Sequence, residues 1–470
     1  MKYEIVVGLE VHAELNTKTK IYCGCKNSFG SMVNSNCCPI CTGMPGTLPT
    51  LNKSVVDYAV RMGYALHCSI NNICKMDRKN YFYPDLPKAY QISQFDIPLC
   101  ENGYIDAIVD EEGHTKRIGV TRIHIEEDAG KLIHSDDFAG SLVDFNRCGV
   151  PLIEIVSEPD MRSSAEAKAY LDTIKATLQY LGISDCKMQE GSIRCDVNVS
   201  VRPEGATEFG TRVEMKNVNS FSATVRAIEY EAARPIHQET RRWDDIAGKN
   251  ILLRSKEDAQ DYRYFPEPDL KTIYVEESRL AELKASIPEL PNDKLLRLMK
   301  QYKLPYFDAN LMAENPDKAD YFEAVAALGK CQPKNISNWL LGDITRIINE
   351  KNLILADTKL STEKLADMLA MIETGEISTT AGKMVLEEII FSDKTAADVV
   401  EEKGLRQMND TGALEQVVSD ILAANPKVVE DYRGGKTNAL GFLVGQCMRA
   451  SKGKGNPNIL REMLEKALNS

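Results

Sequence analysis

Five cysteines fall within a short window near the amino terminus, and their spacing is that of a metal site. Cys23 and Cys25 form a CxC pair, and Cys38 and Cys41 form a CxxC pair after twelve intervening residues. Two such pairs supply the four thiolates of a tetrahedral zinc site, which leaves no position for a substrate. We therefore predict structural zinc at these four residues. Cys37 adjoins Cys38, so the identity of one of the four ligands stays open. The alternative to a zinc site is that these cysteines are buried thiols that bind no metal.

A second group of residues suited to chemistry lies in alternating segments. In YEIVVGLEVHAEL every second residue is apolar, while Glu10 and His12 fall on the other face, roughly 7 Å apart. The same alternation recurs in RIHIEED, RCDVNVSVR and TRVEMKNV. Carboxylates with histidine and basic side chains suit Mg2+ beside a nucleotide's phosphates, so they indicate metal-assisted phosphoryl transfer or hydrolysis on a sheet. Each row taken alone is more typical of a solvent-facing strand.

The tract DRKNYFYPDLPKAYQISQFDIPL is a third candidate. Its prolines predict a loop, and its basic residues are interleaved with aromatic ones. Such a loop can receive a phosphate and a stacked base, or it can be a stiff wrap over the sheet, and composition favours neither. The segment RGGKT lacks the leading glycine of a Walker A loop, because that position is Glu430.

Two kinds of element must position these residues. The alternating segments follow one another without intervening helical patterns, which predicts a large, mostly antiparallel sheet in an α+β protein. After about Pro291 the apolar residues recur with helical periodicity, and a second shift of composition occurs near residue 405. We therefore expect a sheet domain followed by helices.

Composition limits the class of protein. The chain has 470 residues, of which 43% are hydrophobic and 27% charged, and its formal net charge is −12. We expect a folded cytoplasmic protein, because no leader pattern and no long apolar run appear. A reducing compartment argues against a disulfide framework for the thirteen cysteines. The acidic balance offers nucleic acid no general attraction, so any RNA contact needs a local basic surface such as the one at the carboxyl end.

Taken together, nine segments resemble the B subunits of the bacterial tRNA-dependent amidotransferases almost from end to end. The segments are GLEVHAEL, the two cysteine pairs, DRKNYFYPDLPKAYQISQ, RIHIEEDAGK, DFNRCGVPLIEIVSEPD, GSIRCDVNVSVR, GTRVEMKNVNSF, LRSKEDAQDYRYFPEPDL and ALGFLVGQCMRASKGKGNPN. The resemblance implies a cradle-shaped catalytic domain with a zinc knuckle over residues 1–290, a helical domain over 291–405, and a small helical, YqeY-like tail over 406–470.

The resemblance also implies a reaction. In that family ATP phosphorylates the side-chain carboxylate of Glu-tRNA(Gln) or Asp-tRNA(Asn). Ammonia released from glutamine by the A subunit then displaces the phosphate, giving the amide on the tRNA. The expected cofactors are ATP, Mg2+ and structural Zn2+, and the expected partners are the A and C subunits of a heterotrimer and the mischarged tRNA. We expect no membrane contact.

Carried over residue by residue, the resemblance assigns roles to the polar strand faces. The expected catalytic residues are Glu10, His12, Glu126, Glu127, Asp196 and Glu214. Of these, Glu10, His12 and Glu127 are the expected Mg2+ ligands. Lys79 and Lys216 are expected to meet ATP phosphate. Glu154 and Glu158 are further acids that either join the site, order a loop or cap a helix.

The tail is expected to contact tRNA through Arg449, Lys452 and Lys454. Residues 431–470 contain seven Lys or Arg and three Asp or Glu, a local positive excess that suits phosphate contacts. A solvated helix end is the alternative. Two other functions stay open at this point: a non-catalytic, zinc-stabilised tRNA-binding scaffold, and a stand-alone metal hydrolase.

Overall fold

A computed structural model describes residues 2–134, 140–218, 220–234, 238–255, 261–407, 411–433, 436, 438–451 and 455–469. The chain divides into two compact units, Met1–Leu296 and Arg297–Ser470. The first unit holds every strand that the structure describes, and the second is helical. The predicted α+β class is thereby confirmed. The finer division at residues 290 and 405 stays a prediction.

The strands of the first unit lie between residues 3 and 274. They are β1 (Tyr3–Glu14), β2 (Ser69–Ile70), β3 (Ile73–Cys74), β4 (Asp77–Asn80), β5 (Tyr90–Ser93), β6 (Cys100–Ile108), β7 (Thr115–Glu127), β8 (Lys131–His134), β9 (Ser141–Asp144), β10 (Pro151–Ser157), β11 (Ile193–Pro203), β12 (Val213–Val218), β13 (Glu239–Asp244), β14 (Lys249–Ser255), β15 (Phe265–Pro266) and β16 (Ile273–Tyr274). The four alternating segments of the sequence are therefore β1, β7, β11 and β12, as predicted.

Nine of these strands form one sheet, in the order β14-β13-β12-β11-β1-β10-β7-β6-β2. All its pairings are antiparallel except that of β12 with β13. β1 lies in the middle, paired with β10 on one side and β11 on the other. The predicted large, mostly antiparallel sheet is confirmed, and its centre holds the segments that carry the candidate acids.

Helices cover the apolar face of the sheet. They are α1 (Lys53–Ala65), α2 (Ser164–Tyr180), α3 (Phe221–Ala232) and α4 (Glu277–Ala285). In β1 the side chains of Val7, Leu9, Val11 and Ala13 are at most 1% exposed in the core beneath these helices. Because side chains alternate along a strand, this burial turns Glu10 and His12 to the opposite face.

The chain beyond Glu289 is helical throughout the described residues, with α5 crossing the boundary between the two units. The helices are α5 (Pro291–Tyr302), α6 (Tyr306–Ala313), α7 (Pro316–Ala327), α8 (Pro333–Trp339), α9 (Thr345–Glu350), α10 (Thr362–Glu373), α11 (Thr379–Ile389), α12 (Ala396–Glu402), α13 (Thr411–Ala424), α14 (Pro426–Arg433), α15 (Asn438–Ala450) and α16 (Pro457–Asn469). The last four share a small core around Leu414, Leu443 and Leu460. In the described part of the chain no helix is long and apolar enough to cross a membrane.

Candidate active site and cysteine site

Strand register aligns four ionisable side chains across the centre of the sheet. His12 on β1 is opposite Arg194 on β11 and opposite Glu154 on β10. Glu154 is in turn opposite His124 on β7. Paired residues of neighbouring strands project to the same face, so the row runs Arg194, His12, Glu154, His124 over the polar face.

The middle of this row is tied together by short contacts. The Glu154 carboxylate lies 3.2 Å from Nε2 of His12 and 3.4 Å from Nε2 of His124. Nε2 of His124 also lies 3.0 Å from the carboxylate of Glu126. Ligand atoms of His12, Glu126 and Glu154 all lie within 4.8 Å of one another. One imidazole and two carboxylates in that space suit a divalent cation such as Mg2+ or Mn2+.

Strand β5 holds the Glu126 carboxylate in place. The Ser93 hydroxyl donates to one carboxylate oxygen at 3.0 Å, and the Gln91 amide donates to the other at 3.2 Å. Glu126 is 3% exposed and Glu154 is 8% exposed. Carboxylates this buried stay charged only where cations or hydrogen-bond donors compensate for the lost water, and the two histidines and the donors of β5 meet that need.

Electrostatics favours ionised carboxylates and protonated histidines in the metal-free row. Burial opposes charge on His124, but the neighbouring Glu154 and Glu126 raise its pKa to about 9. Burial likewise opposes charge on His12, yet its hydrogen bond to Glu154 raises its pKa above the usual value. Despite its burial, Glu154 has a pKa well below the usual value, chiefly because of His124 and His12. The row is therefore a preformed set of opposite charges that a cation can enter by displacing protons from imidazole.

A second acidic group continues the face towards β12. Glu10 is opposite Asp196, and Asn198 donates its side-chain amide to the Glu10 carboxylate at 3.1 Å. Lys216 on β12 bridges Asp196 at 3.0 Å and Glu214 at 2.8 Å. Burial, followed by repulsion from Glu154 and Asp196, raises the pKa of Glu10. The ammonium of Lys216 thus lies beside the acids that border the metal-binding group.

The tract that its prolines predict to be a loop instead contributes two paired strands, β4 and β5, because the prolines fall between and after these strands. Lys79 lies on β4 and approaches the same group. Its ammonium lies 4.9 Å from the ring centre of Tyr262 and 5.9 Å from that of Tyr81. Burial opposes its charge, but attraction to Glu126 and other neighbours leaves its pKa raised. Aromatic faces stabilise an ammonium without neutralising it. Lys79 is therefore a charged group near Glu126, as its predicted phosphate-binding role requires.

Glu127 points away from the metal-binding group, since neighbouring residues of a strand face opposite sides. Its carboxylate accepts from the backbone N–H of Ile92 at 2.9 Å and pairs with Lys88 at 2.5 Å. It borders a cavity of about 200 Å³ whose other wall includes Cys23 and Cys41. Of the three predicted Mg2+ ligands, the structure therefore brings only His12 into the group, where it joins Glu126 and Glu154. Glu10 lies beside the group.

A pocket of about 270 Å³ opens next to Glu10 on the polar face. Its lining is mainly apolar and includes Phe209, which is 61% exposed, together with Gly210 and Arg212. Gly210 approaches β11 so closely that a Cβ atom there would lie 2.1 Å from the carbonyl oxygen of Val201. The chain around Gly210 therefore packs closely on β11 and forms one side of the pocket.

The two cysteine pairs meet, as their spacing predicts. Sulfurs of Cys23, Cys25, Cys38 and Cys41 lie within 4.8 Å of one another, and those of Cys38 and Cys41 are 3.9 Å apart. Four sulfurs at about 2.3 Å from one zinc lie about 3.8 Å apart, so the donor set fits Zn2+. Cys37 instead directs its thiol to the carbonyl oxygen of Asn34 at 3.4 Å. The structure thus places Cys38, rather than Cys37, in the group.

Of the three predicted tRNA-contacting residues, the structure describes only Arg449. Arg449 is exposed on the last turn of this helix. Lys452 and Lys454 lie outside the described residues. Their roles stay predictions.

Sequence reasoning missed two members of the row and underrated another. The residue pattern does not distinguish His124 or Arg194 as site residues, and it leaves Glu154 with alternatives. The available signal was positional, because Glu154 interrupts the apolar strand PLIEIV and is 8% exposed. Glu158, four residues on, is exposed and accepts from the Thr121 hydroxyl at 2.7 Å, so it lies apart from the metal-binding group.

Known proteins resemble the chain along its whole length. A family model described as the GatB/GatE catalytic domain matches residues 5–281, and a second, described as the GatB domain, matches residues 320–468.

Curated relatives cover the chain completely. One from Caldicellulosiruptor bescii is 54% identical over 100% of this chain and 99% of its own. Relatives from Caldanaerobacter subterraneus subsp. tengcongensis and Clostridium botulinum (strain Langeland) are 53% and 50% identical, each over 100% of both chains. All three are named as the B subunit of an aspartyl/glutamyl-tRNA(Asn/Gln) amidotransferase. With the matched domains and the strand arrangement described above, these relatives show that the chain belongs to the GatB/GatE family.

Proposed function

We propose that the chain is the B subunit of an aspartyl/glutamyl-tRNA(Asn/Gln) amidotransferase, a ligase that forms a carbon–nitrogen bond with glutamine as the amide donor. Relatives of that name, 50 to 54% identical over the whole chain, support the assignment. The name of these relatives implies a complex with other subunits. We assign glutamine hydrolysis to an A subunit and expect a C subunit as the third member. Because its substrate is a tRNA, we expect the complex in the cytoplasm.

One observation carries the catalytic assignment: His12, Glu126 and Glu154 converge within 4.8 Å on the polar face of the sheet. We assign Mg2+ to these three residues, in place of the expected set of Glu10, His12 and Glu127. A bound Mg2+ would reduce the repulsion between the substrate carboxylate and the γ-phosphate. The Ser93 hydroxyl and the Gln91 amide on β5 hold the Glu126 carboxylate in the orientation that metal binding needs.

The chemistry requires two displacements. An oxygen of the glutamyl or aspartyl side chain attacks the γ-phosphorus of ATP, ADP leaves, and an acyl phosphate forms. Ammonia then attacks the acyl carbon, and phosphate leaves with the oxygen that had attacked. We assign Lys79 and Lys216 to balance negative charge on the phosphates, and Asp196 and Glu214 to hold the Lys216 ammonium through its two ion pairs.

The pocket beside Glu10 is the proposed nucleoside site. Its volume of about 270 Å³ and mainly apolar lining suit a purine ring, with Phe209 as a stacking surface. Its position next to Glu10 would direct the phosphates of a bound ATP along the sheet towards the metal-binding group.

The cysteine site is proposed to hold structural Zn2+ through Cys23, Cys25, Cys38 and Cys41. Four protein thiolates close the coordination sphere, so we assign this metal to order the loop and not to the reaction.

For the tail, we propose Arg449, Lys452 and Lys454 as contacts to tRNA phosphates outside the acceptor end.

The acidic sheet argues against a purely scaffolding role, because buried carboxylates repel RNA phosphate unless a cation lies between them.

The assignment is tested with the purified complex, Glu-tRNA(Gln), ATP, Mg2+ and ammonium chloride as the nitrogen source. His12→Ala should still bind tRNA and lose both ATP cleavage and Gln-tRNA formation. His134→Ala, which changes an exposed histidine of the same unit, is the matched control and should behave as wild type. Normal amidation by His12→Ala would return the chain to the scaffold alternative and place the chemistry in a partner.

A further inference from the structure

Lys20 is a buried lysine without a carboxylate partner. It is 1% exposed, although lysine is among the residues least often found inside proteins. Its ammonium donates to the carbonyl oxygen of Asn36 at 2.9 Å and lies 3.8 Å from the sulfur of Cys41. Among the residues that the structure describes, no Asp or Glu lies within ion-pair distance of it.

A buried ammonium needs a nearby negative charge, because removing it from water costs several kcal/mol. Four protonated thiols are neutral and would leave Lys20 with one carbonyl oxygen and one neutral sulfur as its partners. Four thiolates around Zn2+ carry a net charge of −2, which is the counter-charge that the buried ammonium needs. The burial of Lys20 is therefore that expected beside thiolate sulfur, as in a four-thiolate metal site, and not beside neutral thiols.

We infer that Lys20 stabilises the metal-loaded cysteine site: its ammonium compensates the negative charge of a four-thiolate metal centre and so slows loss of the metal. The inference rests on the zinc site proposed above. Lys20 is a positioning residue, since it reaches the metal only through Cys41.

The backbone around Lys20 supports this role, because it joins both cysteine pairs to the sheet. The Lys20 N–H donates to the carbonyl oxygen of Cys25 at 2.9 Å, which fixes the first pair. The next residue, Ile21, donates to the carbonyl oxygen of Gly149 at 2.9 Å, directly before β10. A Cβ atom at Gly149 would lie 3.4 Å from that of Cys41 and 3.9 Å from Cδ of Lys20, which are ordinary contact distances, so the backbone at Gly149 packs beside both side chains.

The test separates charge from hydrogen bonding at this position. In the purified complex, Lys20→Gln keeps a donor for the Asn36 carbonyl and removes the charge, whereas Lys20→Arg keeps the charge. Lys18→Gln changes an exposed lysine two residues away and is the matched control. Zinc content is measured by mass spectrometry, and zinc release to a colorimetric chelator is followed over time. Co2+ loading reports through its absorption spectrum whether four thiolates still bind.

We expect one zinc per chain in wild type and in Lys18→Gln. Lys20→Gln should keep the four-thiolate Co2+ spectrum but bind metal about 10- to 100-fold more weakly, which is the usual effect of losing a group that supports a metal ligand. Lys20→Arg should keep most of the wild-type metal affinity. Equal zinc retention in Lys20→Gln and Lys18→Gln would overturn the role of Lys20. A wild type that binds neither zinc nor Co2+ through thiolates would overturn the zinc site itself and the inference with it.

A second measurement covers the case in which Lys20→Gln does not fold. Wild-type complex is acetylated before and after removal of the metal, and the modified lysines are identified by peptide mass spectrometry. Lys20 should be protected in the loaded protein, where it is buried beside the cysteine group, and react after stripping, because the cysteine loop then no longer covers it; Lys18 should react equally in both. Equal protection of Lys20 in both states would contradict the inference.

Discussion

Replacing Glu154 by glutamine tests the metal-binding row at its centre. The carboxylate contacts His12 at 3.2 Å and His124 at 3.4 Å, and its side chain is 11% exposed. A hydrogen bond to a charged group contributes about 1.5–3 kcal/mol, roughly twice a neutral one. An isosteric amide therefore forfeits about half of each contact, or about 1.5–3 kcal/mol for the two. If that loss falls on the transition state, the rate decreases about 10- to 150-fold.

The assay is ATP cleavage by the purified complex, with Glu-tRNA(Gln) and ammonium chloride and with Mg2+ varied over a wide range. Glu154→Gln should show a lower maximal rate together with a weaker dependence on Mg2+, because one anionic ligand has become neutral. Glu158→Gln is the matched control: it lies four residues on, is exposed, and should change the rate less than about twofold. A Glu154→Gln rate within about threefold of wild type at every Mg2+ concentration would refute the assignment.

Three further predictions follow from the other sites. Cys38→Ser should lose zinc and lower the thermal midpoint of the first unit in calorimetry, whereas Cys37→Ser should keep the zinc and the wild-type midpoint. Zinc loss in Cys37→Ser alone would show that Cys37, and not Cys38, is the fourth ligand. Phe209→Ala should raise KM for ATP about 5- to 150-fold with little change in kcat, since stacking contributes about 1–3 kcal/mol. Replacing the exposed Phe307 by alanine should leave KM for ATP unchanged. Arg449→Ala should weaken tRNA binding and lower its salt dependence by about one counterion, without changing ATP affinity; an unchanged salt slope would remove Arg449 from the interface.

The sequence predicts the central sheet well because its signal is local. Alternation along β1 is a property of one segment, and the buried odd residues and polar even residues agree with it. The cysteine site is predictable for the same reason, since both pairs are short-range motifs whose donor atoms meet in one place. The helical periodicity of the apolar residues in the carboxyl-terminal part is a local signal as well.

The partners across the sheet could not be predicted from the sequence. Whether His12 lies opposite Glu154 or two residues away depends on strand register, which is set by packing across more than a hundred residues of chain. The residues that the resemblance assigns therefore lie on strands of this sheet, but the resemblance does not give the group of side chains that meets on the polar face. Glu127 shows the converse: it adjoins Glu126 in sequence, yet the two-residue period of a strand sends it to Lys88 and a different cavity.

The most direct test of the central claim follows the oxygen atoms of the substrate. Glu-tRNA(Gln) is prepared with a heavy oxygen isotope in the side-chain carboxylate and incubated with the complex, ATP, Mg2+ and ammonium chloride, and the released phosphate is analysed by mass spectrometry. If the polar face of this sheet catalyses phosphorylation of the carboxylate, wild type should release phosphate carrying one heavy oxygen, and His12→Ala should release none. Unlabelled phosphate from wild type, or labelled phosphate from His12→Ala at the wild-type rate, would contradict the account.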